Sequence, residues 1–335
     1  LNFKIFDFTL SGCQIDPRSI TLFSSIKYKL TLDYEPVERS DHSTVRVGDY
    51  LYMWGGDQPD LPKVHNNDKK KALSSLMEVY HLPTGRWEQK PTTGNPPLGI
   101  WAYASAAIGN EIFYFGGRCN HDSCFHNSLY SFNVDTFTWR ELSPTTPHHG
   151  PMMKGYCGMV AFQLNGKDYL AVIGGRGPSS NNTPTQPNAK YQRLVANSKR
   201  TNEIHYYKVS SGKWSSPNVT GDRPPPISYF TLTSITNDCA ILFGGATPDG
   251  DSNNTYIINF SHTSVNFSDL RVSKQKPQER SGHSSVFINS NFGPHLLVVG
   301  GYSKDDCWLL DVDKRIWKQL LRHCLNVAAY EKWWV

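Results

Sequence analysis

Residues 111–117 read EIFYFGG, an apolar run that ends in two glycines, and this pattern decides the fold. Four other runs end in the same way: YLYMWGG (50–56), YLAVIGG (169–175), CAILFGG (239–245) and HLLVVGG (295–301). Self-similarity at intervals of 56 to 70 residues is typical of repeat architectures. The glycines predicted to be structural are Gly55, Gly56, Gly116, Gly117, Gly174, Gly175, Gly244, Gly245, Gly300 and Gly301.

Two further marks flank each doublet. A strand of small and β-branched residues precedes it: HSTVRV (42–47), YASAAI (103–108), CGMVAF (157–162), FTLTSI (230–235) and HSSVFI (283–288). Two large residues seven positions apart follow it: Tyr80/Trp87, Phe132/Trp139, Tyr207/Trp214, Phe260/Phe267 and Leu310/Trp317. Each unit is thus predicted to be a four-stranded sheet whose last two strands carry the pair, with the large side chains packed between neighbouring sheets.

Together these marks resemble the kelch-repeat family over about residues 39–320. The resemblance implies an all-β, kelch-type β-propeller with five recognisable blades, and a sixth, composite blade is left open. Because one blade cannot bury both faces of its sheet, the blades must stack into a closed ring. The predicted organisation is N-terminal strands that close the ring (1–38), the propeller (39–317) and a C-terminal amphipathic helix (318–335).

Composition narrows the function class and the setting. Charged residues make up 19% of the chain, and the net charge of +5 is modest for a nucleic-acid-binding protein. Nucleic acid is therefore not an expected partner. No apolar run reaches the length of a membrane span, so a membrane is not an expected partner either. The seven cysteines have no short repeated spacing, which favours buried free thiols and a cytoplasmic or nuclear location. Against this, five Asn-x-Ser/Thr triplets would be glycosylation acceptors in a secreted protein.

Loops decide what a propeller binds. Residues directly after each doublet, or just ahead of each inner strand, are expected at one mouth of the channel. Most of the large residues at these positions are cationic or aromatic. The candidate partner-binding residues are Arg39, Trp101, Arg118, Lys154, Arg176, Arg280 and Tyr302. Because guanidinium groups hold carboxylates through paired hydrogen bonds, the expected partner is a protein or peptide with an acidic side chain or a C-terminal carboxylate. Alternatively, Arg39 and Arg280 only brace their blades, since both lie in a repeated ERS motif.

The end of the chain reads as an amphipathic helix, because Leu320, Cys324 and Ala328 recur at intervals of four residues. The segment LLRHCLNVA (320–328) resembles the elongin-binding box of cullin-type ubiquitin-ligase receptors. The resemblance implies that Leu320 enters a pocket on elongin C, that Cys324 packs beside it, and that Ala328 continues the face, with cullin-2 as a further partner. A helix that only caps the propeller is the alternative.

No common catalytic motif occurs: His-Glu-x-x-His, Gly-x-Ser-x-Gly and Gly-x-x-x-x-Gly-Lys are all missing from the sequence. We therefore predict no catalytic residue and no cofactor. A zinc site is not assigned, although Cys119, His121, Cys124 and His126 offer thiol and imidazole groups within eight residues; the alternative is a polar loop with incidental histidines. The sequence thus predicts a non-catalytic, protein-binding propeller that serves as the substrate-recognition subunit of a cullin-type ubiquitin ligase. The alternative is a kelch scaffold for cytoskeletal or signalling proteins.

Overall fold

The fold is given by a computed structural model, which describes residues 34–122, 124–180, 184–272 and 275–322. Two four-stranded antiparallel sheets come first along the chain. Blade one consists of β1 (Ser43–Val47), β2 (Tyr50–Trp54), β3 (Leu76–His81) and β4 (Arg86–Pro91). The helix α1 (Asp68–Ser74) lies between β2 and β3. Blade two consists of β5 (Ala104–Ile108), β6 (Glu111–Phe115), β7 (Leu129–Asn133) and β8 (Thr138–Ser143).

Blades three and four carry additional strands in their loops. Blade three begins with β9 (Gly158–Leu164) and β10 (Lys167–Ile173). A small three-stranded sheet is inserted next, formed by β11 (Arg176–Pro178), β12 (Tyr191–Leu194) and β13 (Ser198–Thr201). Blade three then ends with β14 (Ile204–Lys208) and β15 (Lys213–Ser215).

Blade four gains a fifth strand, because β16 (Asn218–Gly221) pairs in parallel with its outer strand. Its remaining strands are β17 (Thr231–Thr236), β18 (Cys239–Phe243), β21 (Thr255–Phe260) and β22 (Ser264–Asp269), with the hairpin β19 (Ala246–Thr247) and β20 (Gly250–Asp251) inserted. Blade five consists of β23 (Ser284–Ser290), β24 (Gly293–Gly301), β25 (Lys304–Asp311) and β26 (Ile316–Leu321). The all-β, kelch-type propeller is thereby confirmed, with five blades in the described part of the chain.

The blades stack around a common axis. The inner strands β1, β5, β9, β17 and β23 each contact the next one in the series. Four apolar clusters fill the spaces between successive blades, each built from side chains of two neighbouring sheets. The hydrophobic core is therefore divided into layers between blades, as expected for units that cannot bury both faces alone.

The aromatic residue on the outer strand of a blade packs against the preceding blade. Trp139 lies 4.8 Å from Trp54, Trp214 lies 5.6 Å from Phe115, and Trp317 lies 5.0 Å from Phe243, all measured between ring centroids. Trp87 contacts its own blade instead, at 5.1 Å from Tyr80. Blade one has no preceding blade among the described residues, which is why Trp87 stays half-exposed.

The glycine doublets fasten each blade to the next one. In the first four doublets the second glycine donates its backbone N–H to a carbonyl of the following blade at 2.7–2.9 Å, as Gly117 does to Lys154. Both glycines have positive φ in every doublet. A Cβ on Gly116 would lie 2.4 Å from the carbonyl oxygen of Lys154, so a side chain is excluded there.

Two predictions need correction. The helix predicted from residue 318 is wrong at its start, because Ile316–Leu321 forms a strand with Trp317 buried against blade four. The free-thiol prediction is wrong for Cys307, whose sulfur is disulfide-bonded, although four other cysteines are free.

Several predictions fall on residues that the structure does not describe. These are residues 1–33 of the predicted N-terminal closing segment (1–38), the sixth blade, and the elongin-box residues Cys324 and Ala328. Leu320 is described: it is unpaired at a bulge in β26, between the paired residues Gln319 and Leu321. Within the described ranges, no helix has the length and apolar character needed to cross a bilayer.

Candidate functional site

Backbone hydrogen bonds mark the mouth of the channel. The residue two positions ahead of the first residue of each inner strand has a positive φ of 53° to 62°: Asp41, Ala102, Tyr156, Tyr229 and Gly282. The N–H of each later member donates to the carbonyl of the member before it, at 2.7–3.1 Å. These bonds link blade to blade around the axis, so the five positions define one end of the channel.

Aromatic and cationic side chains gather at this end. Tyr156 and Tyr229 stack at 4.1 Å between ring centroids, and Tyr302 meets Tyr229 edge-on at 5.8 Å. Arg118 lies between two rings, 4.5 Å from that of Trp101 and 5.0 Å from that of Phe125. We call this group the mouth cluster, and its members are Asp41, Trp101, Arg118, Tyr156, Arg176, Tyr229 and Tyr302.

The mouth cluster contains polar groups without an internal partner. Both the Nε of Arg118 and the Nε1 of Trp101 are buried and lack a hydrogen-bond acceptor within the described part of the chain. Arg118 donates from Nη2 to the carbonyl of Asp122 at 2.7 Å, and Arg176 donates to the Ser198 hydroxyl at 3.2 Å. Over the same residues, neither guanidinium lies within 4 Å of a carboxylate. Buried donors of this kind are commonly satisfied by a ligand or by water.

One carboxylate sits among these cations. Burial raises the pKa of Asp41 to about 6, and repulsion from Asp57 acts in the same direction, while Arg118 opposes both. The negative charge of Asp41 also helps to raise the pKa values of Tyr156, Tyr229 and Tyr302, whose largest cause is burial. The charge of Asp41 in the mouth cluster therefore changes near pH 6, within the range of pH where many proteins are stable.

Three of the predicted mouth residues are buried braces instead. Arg39 donates to Glu78 at 2.9 Å, Lys154 donates to Glu203 at 3.3 Å, and Arg280 holds both oxygens of Asp306 at 2.7 and 3.2 Å. Lys154 and Arg280 are completely buried. Side chains that are enclosed and paired inside a blade cannot contact a ligand, so the prediction that they line the mouth is wrong.

The pattern therefore located the mouth but missed part of its lining. Trp101, Arg118, Arg176 and Tyr302 lie where the sequence places them. Asp41 and Tyr156 were not predicted. Cationic side chains were expected at the mouth, and this criterion selected Arg39 and Lys154, each two residues earlier. The signal that finds them is alignment on the first residue of the inner strand, since the residue two positions ahead of it has a positive φ in each of the five described blades.

The cysteine and histidine loop of blade two is assembled differently from the sequence prediction. Its members Cys119, Cys124 and His126 come together with His65, which belongs to the loop ahead of α1. The ligand atoms of these four side chains lie within 4.8 Å of one another. His121 is not part of the group, because it is exposed and pairs with Asp122.

Comparison with known proteins gives the family. The sequence model described as the KLHDC2/KLHL20/DRC7 Kelch-repeats domain matches residues 25–188 and 194–327. The chain belongs to this kelch-repeat family. Kelch propellers of this kind bind other proteins, and the chain is accordingly a protein-binding propeller.

Its relatives within the wider kelch group are distant. Kelch domain-containing protein 1 from Mus musculus is 26% identical over 85% of this chain and 69% of its own length. Host cell factor from Drosophila melanogaster is 24% identical over 80% of this chain and 16% of its own length. The kelch family is generally non-catalytic, although one relative, from Thlaspi arvense, is named an N-(sulfonatooxy)prop-2-enimidothioate sulfolyase; it is 22% identical over 81% of this chain and 72% of its own length.

Proposed function

We propose that the mouth cluster binds a carboxylate of a protein partner, either a C-terminal carboxylate or an acidic side chain. The observation that carries this proposal is the pair of buried donors on Arg118 and Trp101 that have no internal acceptor. Arg176, also without a carboxylate partner in the described ranges, supplies a second positive charge. Guanidinium groups bind carboxylates with paired, charge-assisted hydrogen bonds.

The aromatic members determine what accompanies the carboxylate. Tyr156, Tyr229 and Tyr302 form a continuous rim, and Tyr302 is 43% exposed. Tyrosine rings provide rigid contact area with little loss of conformational entropy on binding. We therefore expect a short peptide segment whose backbone or apolar side chains lie along this rim while its carboxylate faces Arg118.

Arg118→Ala tests the proposal. We expect at least about a tenfold loss of affinity for captured peptides, because a hydrogen bond to a charged group contributes about 1.5–3 kcal/mol. The measurement uses the full chain and an immobilised pool of peptides with random C-terminal residues, followed by fluorescence anisotropy with the best binders.

Arg46→Ala is the matched control, since Arg46 is an exposed arginine at the far end of β1 whose one hydrogen bond within the described ranges goes to the carbonyl of Gly48. Equal affinities for Arg118→Ala and Arg46→Ala would contradict the proposal.

Lower pH provides a second test of carboxylate binding at the mouth cluster. As pH falls from about 7 to about 5, Asp41 becomes neutral while a peptide carboxylate stays charged, so binding should tighten. Asp41→Asn should bind tightly throughout and lose this dependence.

We further propose that the chain acts as a substrate receptor of a cullin-type ubiquitin ligase, with the elongin-box-like segment recruiting elongin C and, through it, cullin-2. The order of propeller and box in the sequence supports this role. Co-purification with elongin C should be lost in Leu320→Ala plus Cys324→Ala and kept in Gln319→Ala, whose residue lies beside the box. An elongin association that survives the double substitution would exclude the assignment, provided that thermal unfolding shows an intact propeller.

One observation favours the alternative, a kelch scaffold for cytoskeletal or signalling proteins without a ligase link. Leu320 belongs to the outer strand of blade five and not to a helix, so this residue is held by the propeller. Absence of any elongin association in the intact chain, together with retained peptide capture at the mouth, would support the scaffold function.

A further inference from the structure

Two loops from neighbouring blades bring four zinc-type ligands together. His65 lies in the loop between β2 and α1 of blade one, and Cys119, Cys124 and His126 lie in the loop between β6 and β7 of blade two. Cys119 and His126 are buried. His65 is 54 residues from Cys119 in the sequence, so the group exists only because the two blades are adjacent.

The distances match a tetrahedral zinc site. The Nδ1 of His65 lies 3.6 Å from the Sγ of Cys119 and 3.3 Å from that of Cys124, and the Nε2 of His126 lies 3.5 Å from the Sγ of Cys124. With Zn–S bonds near 2.3 Å and Zn–N bonds near 2.05 Å at tetrahedral angles, sulfur and nitrogen should be about 3.6 Å apart. The four side chains therefore already surround a point at which one ion fits.

Neighbouring groups hold the ligands in the orientation that metal binding requires. The Nδ1 of His126 lies 3.2 Å from the hydroxyl oxygen of Thr145, which leaves Nε2 directed at the sulfur atoms. Metal-binding histidines usually engage their second ring nitrogen in this way. Lys70 of α1 is buried and donates to the carbonyls of Val64, His65 and Cys119, so its ammonium ties the two ligand loops to each other.

We propose that His65, Cys119, Cys124 and His126 bind a structural Zn²⁺ ion that joins blade one to blade two. Two thiolates and two imidazoles form a soft, tetrahedral ligand set, which selects zinc over magnesium or calcium. Four protein ligands complete the coordination and leave no position for a substrate or an activated water, so the site is structural and not catalytic.

The ion would also order the mouth cluster. Phe125 stands between the ligands Cys124 and His126, and its ring lies 5.0 Å from the guanidinium of Arg118. The carbonyl that accepts a bond from Arg118 belongs to Asp122, in the same loop. Metal bound at this loop should therefore fix the position of Arg118.

Elemental analysis of the purified full chain tests the proposal. The protein is expressed in zinc-supplemented medium and kept reduced in chelator-free buffer. About one zinc per chain is expected for the unaltered protein, and at most about a tenth of that for Cys124→Ser, because a site that loses a thiolate binds far more weakly. His121→Ala is the matched control, since His121 lies in the same loop outside the group, and it should keep its zinc. A zinc-free unaltered protein, or equal loss in both variants, would overturn the proposal.

Two further measurements keep the test valid if Cys124→Ser does not fold. Co²⁺ added to the metal-free chain should produce the intense visible absorption of a tetrahedral, thiolate-bound ion, and Zn²⁺ should abolish it. Thr145→Val should weaken zinc affinity by about 10–100-fold, as expected for loss of a group that orients a ligand. No cobalt spectrum, or a Cys119–Cys124 disulfide in reducing buffer, would contradict a zinc site. Peptide capture plays no part in these readouts, so they are independent of the proposed function.

Discussion

Gly116→Ala is expected to lower the free energy of unfolding by about 2–5 kcal/mol. The φ of Gly116 is +72°, a conformation that costs an L-residue about 1–2 kcal/mol. The new methyl group would also lie 2.4 Å from the carbonyl oxygen of Lys154, and overpacking of this kind adds about 1–3 kcal/mol. That carbonyl accepts the hydrogen bond from Gly117 that joins blade two to blade three, so the clash acts on the contact between blades.

Gly109→Ala is the control for this experiment. Gly109 has a similar φ of +55°, but an added methyl group would meet no atom within 4 Å. Its cost should be about 1–2 kcal/mol, that of the backbone alone. Urea unfolding of both variants separates the two contributions. Similar losses for Gly116→Ala and Gly109→Ala would mean that the doublet is needed only for its turn and does not govern the approach of neighbouring blades.

Arg280→Ala is expected to cost about 3–5 kcal/mol, the usual effect of removing one partner of a buried ion pair. The guanidinium is fully buried and bonds to the carbonyl of Gly300 at 2.8 Å as well as to Asp306. Burial tends to raise the pKa of Asp306, but the hydrogen bonds from Arg280 and Trp308 lower it below its usual value. Without Arg280, a carboxylate and a carbonyl remain in the interior with their main partner gone.

The pH dependence of this variant follows from the same pair. Because the pKa of Asp306 is lowered in the folded protein, the pair stabilises the fold above the ordinary aspartate pKa of about 3.9, and the effect is lost at lower pH. The difference between the unaltered protein and Arg280→Ala should therefore shrink in acid. Arg140→Ala is the control: its pair with Glu111 spans 3.6 Å with the arginine 65% exposed, so less than about 1 kcal/mol is expected. A cost for Arg280→Ala as small as this would show that Arg280 is not a brace.

Much of the fold was predictable because short local sequence patterns identify each repeat. The doublets, the small inner strands and the paired aromatic residues recur with each blade, and their spacing indicates a propeller without any knowledge of distant contacts. The tail was misread for a related reason. Leu320, Cys324 and Ala328 recur at helical spacing, but Trp317 packs against Phe243 of blade four and the outer strand extends to Leu321.

The site was less predictable because it depends on contacts between residues that are distant in sequence. Arg39, Lys154 and Arg280 were predicted to line the mouth because they are cationic. Each has an acidic partner on another strand or loop of its own blade, and a sequence does not reveal such partners. The zinc-type group shows the same limit. His121 is close to Cys119 in sequence and points away, whereas His65 is distant in sequence and completes the group through the contact between blades one and two.

The central claim is that the mouth cluster recognises a carboxylate. The most direct test compares the affinity of the unaltered chain for one captured peptide with its affinity for the same peptide bearing a C-terminal amide, or glutamine in place of its acidic residue. We expect one of these neutral forms to bind at least about tenfold more weakly, because the charged hydrogen bonds to Arg118 are lost. Equal affinity for the charged peptide and both neutral forms would contradict the claim.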